Sequence, residues 1–221
     1  MQLVKTLVPI CVSLAITAVC LFASAGRLNW SNAWVLLGLS FLAGLAFTVG
    51  RSPELAAERR NIKAGKNWDK AIVSITVLLG PMAMWITTGL DGRFHWSNDL
   101  STLPCTAGVA VATLGSALTA WAIRSNRFFS SVVRIQKDRG HTVVEGGPYC
   151  FIRHPGYAGM SAFTLLTPLI LSSYWAFVPA AAVAAMTVLR TALEDRTLHQ
   201  ELDGYTDYAR RVRYQLLPAI W

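Results

Sequence analysis

The chain is short of charge. Only 14% of its 221 residues are Asp, Glu, Lys or Arg, against about 25% in ordinary soluble domains. With 53% hydrophobic residues and a mean hydropathy of +0.42, that deficit argues against a soluble core and for a bilayer protein. Acidic residues are scarcest, 12 against 20 Lys and Arg, for a net charge of +8. Nucleic-acid binding is the competing cause of such a charge. However, the cations sit in short segments between apolar runs rather than along one soluble face, so no nucleic acid is expected as a partner. Cys11, Cys20, Cys105 and Cys150 are scattered without a CxxC pair, which indicates neither a disulfide framework nor a thiolate zinc site. His95, His141, His154 and His199 lack HxxxH or HExxH spacing, so no metal is expected. GxGxxG, Walker and GxSxG motifs are missing too, which excludes a soluble Rossmann-type cofactor domain. Any cofactor must bind between membrane helices and the segments that join them.

What is present is a series of apolar runs. A helix crossing the hydrocarbon needs about 20 apolar residues. The first run spans about Leu3 to Ser24. Ala23-Ser24-Ala25 resembles a signal cleavage site, but the run exceeds the ~7–15 residues of a signal core and a second run follows at once, so a retained helix is expected. The second span, about Ala33 to Val49, is flanked by Trp30 and Trp34, which suit the headgroup level. After the charged segment Arg51–Lys70 comes a third span, about Ala71 to Leu90, with Pro81 inside it; the missing N–H should kink that helix or open its hydrogen-bond ladder. The fourth, about Leu103 to Ile123, carries Gly108, Ala112, Gly115, Ser116 and Ala120, small residues that allow close helix contact. Tyr157–Leu171 and Trp175–Leu189 read as a tight hairpin around Ser172-Ser173-Tyr174, each arm a little short for a full crossing.

Lys5, the segments Arg51–Lys70 and Arg124–Arg153, and the tail from Arg190 carry the cations of one side; only Arg27 and Arg93 fall on the other. The positive-inside rule then makes both termini and both long connections cytoplasmic. The expected fold class is all-α: a polytopic transmembrane bundle of about six apolar segments, the last two a helical hairpin, plus a cytoplasmic C-terminal helix. Five full spans with a re-entrant element is the nearest competitor.

Two polar stretches flank the hairpin on the same side, where the turn should bring them together. In the first, Gly146-Gly147-Pro148 and Pro155-Gly156 force turns and hold Arg153 and His154 on constrained backbone at the membrane surface. Ionisable groups there are costly to desolvate and usually bind or react; the bland alternative anchors Arg153 to lipid phosphate and His154 to a loop carbonyl. In the second, Arg190 and Glu194 share a helix face at i,i+4, with Asp195 and Glu201 beyond. An exposed pair is worth only ~0–1 kcal/mol. But Arg190 follows directly on the apolar Ala180–Leu189, at a depth where a charge needs a pair or an anionic ligand. Glu194 is a candidate for the two hydroxyls of a ribose. Tyr205, Tyr208 and Tyr214 either pack as aromatic core or cap the pocket.

Gly147-Pro148-Tyr149-Cys150-Phe151-Ile152-Arg153-His154-Pro155-Gly156-Tyr157 resembles the GPYxxxRHPxY signature of the isoprenylcysteine carboxyl methyltransferase family and its phospholipid-methyltransferase relatives. Glu194-Asp195, Leu198, Gly204-Tyr205, Tyr208, Val212 and Leu217-Pro218 are similar to that family's acidic pair, GYxxY and terminal V–P pattern. Asn126-Arg127-Phe128-Phe129-Ser130 and Arg139-Gly140-His141-Thr142-Val143-Val144 resemble segments of bacterial members. The resemblance covers Asn126 to Trp221 well and the first hundred residues vaguely. It implies one integral-membrane methyltransferase domain over 1–221, with N-terminal transmembrane helices over 1–125 and a cofactor-binding catalytic region over 126–221. The implied cofactor is S-adenosylmethionine, bound by His141, Gly147, Tyr149, Arg153, His154, Pro155, Tyr157, Glu194 and Leu198, with Arg190 and Glu194 as catalytic residues. For a bacterial chain the site would face the cytoplasm at the inner membrane. Cys150 departs from the Arg or other polar residue often found there, and Asp195 replaces the second Glu of the usual pair.

The implied partners are membrane lipids and a lipophilic or small-molecule methyl acceptor, above all a carboxylate of the prenylcysteine type; a phospholipid amine or a thiol stays open. Small residues in the fourth and sixth spans would let such an acceptor in from the bilayer. A membrane NADPH-dependent sterol-type reductase is the reading from another enzyme class. A non-enzymatic component, with Arg153 and Arg190 as lipid anchors, is the third.

Overall fold

Pro81 shows how local chemistry shapes this bundle. Its ring nitrogen has no hydrogen to donate, and the helix before it loosens: Ser74–Leu79 is π-helical, with the Gly80 N–H reaching back to the carbonyl of Ile75. The structure, a computed structural model, describes residues 2–49, 51–97 and 100–221, with side chains from residue 7 onward. Lys5, counted above among the cations of one side, lies outside the described side chains.

Every regular element among the described residues is helical. Besides three short 3-10 turns (Ile62–Ala64, Lys137–Arg139 and Gly147–Cys150), they are, in chain order, α1 (Gln2–Ala25), α2 (Ser31–Thr48), α3 (Pro53–Glu58), α4 (Asn67–Val73), the π segment, α5 (Gly80–Phe94), α6 (Thr102–Ser125), α7 (Pro155–Ile170), α8 (Phe177–Glu201) and α9 (Tyr205–Arg211). Among the described residues, five stretches are long and apolar enough to cross a membrane: Leu7–Ala25, Ser31–Thr48, the continuous Asn67–Phe94, Thr102–Ser125 and Phe177–Glu201. α7 adds the sixth apolar segment and, as expected of a hairpin arm, is a little short. Its 16 residues extend about 24 Å at 1.5 Å per residue, short of a hydrocarbon core of about 30 Å. The hairpin is lopsided, because α8 runs on as one helix from its apolar first half through the charged Arg190–Glu201.

The small residues of α6 are used as expected. Gly108, Ala112, Gly115, Ser116 and Ala120 are all buried, and α7 is the main neighbour of α6. A Cβ on Gly115 would fall 2.6 Å from the Gly159 carbonyl oxygen, and one on Gly159 would fall 2.3 Å from that of Gly115. The two backbones touch there. Leu21, Phe22, Leu36, Leu37, Ala112 and Ile170 form the main apolar cluster across α1, α2, α6 and α7. Val12 and Val19 on α1 and Val77 and Leu79 in the π segment stay exposed, as suits surface that meets lipid.

At the end of the bundle that carries Arg27 and Arg93, Asp91 is buried. It accepts hydrogen bonds from the Ser97 N–H (2.7 Å), the Ser97 hydroxyl (2.8 Å) and the Ser173 hydroxyl. That ties the end of α5 to the α7–α8 turn. The opposite end carries the two long polar connections and the tail.

Candidate active site

At that opposite end the two polar stretches meet. The backbone N–H of Arg153 donates to Tyr214 O and that of His154 to Gln215 O, both at 2.9 Å. The side chains converge on Asp195, which is 5% exposed. Its carboxylate accepts from Arg153 Nε (2.9 Å) and Nη2 (3.0 Å), the Tyr205 hydroxyl (2.7 Å) and His154 Nε2 (3.1 Å). An ionised carboxylate only accepts, so His154 presents Nε2–H. Arg153 Nη1 donates to the carbonyls of Val212 (2.9 Å) and Arg213 (2.8 Å). Arg153 and Asp195 therefore fasten the loop to the tail, and lipid anchoring is not the use of Arg153.

The acidic pair divides, because neighbours on a helix point about 100° apart. Asp195 turns to the RHP loop, while Glu194 lines a cavity of about 420 Å³ and accepts a 2.5 Å hydrogen bond from the Tyr157 hydroxyl. The cavity is also lined by His141, Tyr149, Arg153, His154, Leu198 and Arg190. Gly147 and Pro155 lie outside its lining. Gly147 has φ +63 and backs onto α6, where a Cβ would meet Ser125 Oγ at 2.3 Å, and Pro155 starts α7. Both shape the backbone that presents the neighbouring side chains. Cys150 is exposed, its thiol donating to Gly147 O at 2.9 Å.

His141 sits on a loop folded upon itself. The buried Gln136 donates from Nε2 to Phe128 O at 2.7 Å, and its backbone N–H donates to His141 Nδ1 at 3.3 Å. The imidazole packs on Phe128 with ring centroids 4.4 Å apart. Burial, then the nearby cations Arg134, Arg139 and Arg127, pushes its pKa down to about 4, so the ring is neutral at physiological pH. Tyr205 and Tyr208 are buried with centroids 5.5 Å apart. Their hydroxyls are used by Asp195 and by Tyr149 O at 2.7 Å. They pack as core, and both also line the cavity; Tyr214 is 38% exposed.

Arg190 does not pair with Glu194 as its i,i+4 spacing suggested. It donates from Nε to Asp69 Oδ1 (2.7 Å) and from Nη2 to Asp69 Oδ2 (3.3 Å) and Ser131 O (2.9 Å), with its guanidinium 5.0 Å from the Tyr157 ring centroid. Asp69 is fully buried and also accepts from the Val133 N–H at 2.7 Å. The charged segment Arg51–Lys70 thus enters the site beside the later connection and the tail. Glu58 belongs to it too, held by Arg134 Nε (2.7 Å) and Nη2 (2.6 Å), as does Arg59, whose guanidinium lies 5.2 Å from the Phe129 ring centroid. Asp69 heads an apolar run as Arg190 closes one, so the depth argument applied to Arg190 would have found it.

The cavity also has apolar lining from Phe47 of α2, Val73 of α4, Val77 of the π segment, Ile123 of α6 and Met160 of α7. Gly108 and Gly115 of α6 are in close contact with α7.

Residues 105–200 match the family model described as the isoprenylcysteine carboxyl methyltransferase family. Among curated proteins, the rat protein-S-isoprenylcysteine O-methyltransferase is 29% identical over 147 residues, 63% of this chain and 50% of its own length. The human protein of that name is 26% identical over 148 residues, with the same coverage. Protein-S-isoprenylcysteine O-methyltransferase B of Arabidopsis thaliana is 29% identical over 113 residues, 48% of this chain and 55% of its own. The chain thus spans about half the length of the curated relatives it matches. Among solved structures, that of the eukaryotic intramembrane Ras methyltransferase, isoprenylcysteine carboxyl methyltransferase, superposes over 100% of this chain and 87% of its own with a TM-score of 0.52 at 17% identity. Over residues 105–200 the chain is similar to the isoprenylcysteine carboxyl methyltransferase family, which its motifs also resemble, and along its whole length it shares the helical membrane fold of a solved protein of that name.

Proposed function

We propose that this chain is an integral-membrane, S-adenosylmethionine-dependent methyltransferase whose acceptor is lipophilic and ends in a carboxylate of the prenylcysteine type. The observation that carries the reading is one cavity lined both by residues of the RHP loop and the acidic helix and by apolar residues of α2, the π segment and α7. Its size, about 420 Å³, falls in the ~300–1,000 Å³ range of small-molecule sites. The donor set suits a cationic nucleoside. Glu194 is a carboxylate engaged by a neutral phenol, Tyr149 and the neutral His141 offer aromatic and polar edges, and Leu198 gives an apolar contact.

The bound cofactor supplies a methyl group already activated by a positive sulfur, so no acid is required. A carboxylate acceptor would need no base either, since it carries no proton to lose. What remains for the protein is alignment and exclusion of water, which can supply ~7–11 kcal/mol. Tyr157 orients Glu194, and Asp195 holds Arg153 and His154 so that the loop cannot swing away. Arg190, neutralised by Asp69, backs the Tyr157 ring. The apolar wall suits the acceptor's chain coming from the bilayer, with the polar end and both termini on the cytoplasmic side.

Titrating the purified chain with S-adenosylhomocysteine and with NADPH tests the reading. Saturable binding of the first alone is expected, together with transfer of label from S-adenosyl-[methyl-³H]methionine to N-acetyl-S-farnesylcysteine. Binding of NADPH alone would replace the methyltransferase reading with the reductase one, and binding of neither would favour a non-enzymatic membrane component.

A further inference from the structure

Nearly every buried charge around the cavity is answered. Asp69 answers Arg190, Asp195 answers Arg153, and Glu58 answers Arg134. Arg59 is the exception. Its Nη1 is buried with no hydrogen-bond partner among the described residues. Glu58, its sequence neighbour, is committed to Arg134 on both oxygens. Burial, and after it the cations Arg51 and Arg190, lowers its pKa to about 10, with Tyr157 acting the other way. It stays protonated at neutral pH and lacks an anion. A buried charged donor without an acceptor is destabilising and calls for an explanation.

The position is held firmly. Ser52 caps α3 by accepting from the Leu55 N–H at 3.1 Å, and Pro53 opens the helix. Glu58 pins its far end to the later connection. The guanidinium lies over Phe129, and Phe129 is itself wedged against α7, its ring atoms within 2.6–2.8 Å of where a Gly156 Cβ would stand. Arg59 shares the cavity with the apolar Phe47, Ile62, Val73 and Val77. Arg190 is the other candidate for an anion, but its Nε and Nη2 are taken and Asp69 cancels its charge.

We propose that Arg59 is the residue that recognises the acceptor, its guanidinium binding the carboxylate that is to be methylated. The assignment rests on the methyltransferase reading above and adds to it a specificity-determining residue from the first polar segment. A planar guanidinium matches a carboxylate, and holding one oxygen leaves the other to attack. Esterification removes the negative charge, so the same contact that favours the acid releases the product. Glu194 and Arg59 then divide the work by sign, the carboxylate facing a cationic donor and the guanidinium an anionic acceptor.

The test is direct binding of N-acetyl-S-farnesylcysteine and of its carboxamide to the full chain in detergent, for the wild type, Arg59→Gln and Arg59→Lys. The wild type should prefer the acid at least tenfold, about 1.4 kcal/mol. Arg59→Gln should bring the preference within twofold, with S-adenosylhomocysteine affinity unchanged. An equal preference in wild type and Arg59→Gln overturns the assignment, as does a wild type that does not distinguish acid from amide. If Arg59→Gln does not fold, Arg59→Lys must still cut the preference threefold or more, and an unchanged ratio overturns the assignment. The cofactor titration is read separately. An acid preference that depends on Arg59 in a chain that ignores S-adenosylhomocysteine would keep the anchor and remove the methyl transfer.

Discussion

The α6–α7 contact and the junction of loop and tail solve the same packing problem in opposite ways. Between α6 and α7 the chain removes side chains: Gly115 and Gly159 face each other's backbone, and Thr119 fills the next step. Where loop and tail join, it adds them: Asp195 gathers Arg153, His154 and Tyr205, and Asp69 gathers Arg190 and Val133. Lipid gives helices no hydrophobic reason to associate, so close backbone fit does that work. A buried charge that loses its partner is costly, so pairing matters more than shape at the polar junction.

The largest effects should therefore come from the polar junction. Asp195→Ala leaves a buried guanidinium without its counter-charge and should lower stability by ~3–5 kcal/mol, read as a lower thermal midpoint in detergent. Arg190→Ala, which strands the fully buried Asp69, should do the same, so any loss of turnover in that variant must be compared with its folded fraction. Next is Gly159→Leu. Its Cβ would fall 2.3 Å from Gly115 O, and overpacking of this kind costs ~1–3 kcal/mol. Gly38→Ala is the control, since nothing lies within 4 Å of that position; in a helix it should be neutral or stabilising.

Glu194→Ala sharpens the contrast from the other direction. Its partner is a neutral phenol, so stability should hold while S-adenosylhomocysteine binding weakens tenfold or more, about 1.4 kcal/mol. His141 gives a smaller, pH-dependent effect. Its folded pKa of about 4 lies below the ordinary 6.5, so between those values the unfolded chain takes up a proton that the folded chain refuses. Its contribution is complete above 6.5 and is lost as pH falls toward 4; His141→Gln should flatten that part of the acid-stability profile. Smallest of all, Arg210→Ala breaks a pair with Asp207 whose side chains are 77% and 70% exposed, and should change the midpoint little.

Much of this was legible before any fold was in view. Hydropathy alone marks out the crossing helices, Pro81 announces the π segment, and the small residues of α6 announce its contact. Arg153, His154, Glu194 and Asp195 stand out because charge at the edge of an apolar run needs a purpose. Charge spacing misled at Arg190, where an acid four residues on is near in sequence but Asp69 is the partner. A local rule ranks neighbours along one helix, and the true partner lies 121 residues away.

By itself, the order of apolar and polar residues determined that this chain is a helical membrane protein, where its helices run, and which polar segments need partners, because those follow from desolvation and helix periodicity one segment at a time. Only the tertiary structure decided who meets whom. It split Glu194 from Asp195, made Arg153 a fastener, brought the segment before α4 into the site and left Arg59 without an anion, because pairing among buried charges depends on the arrangement of all of them together.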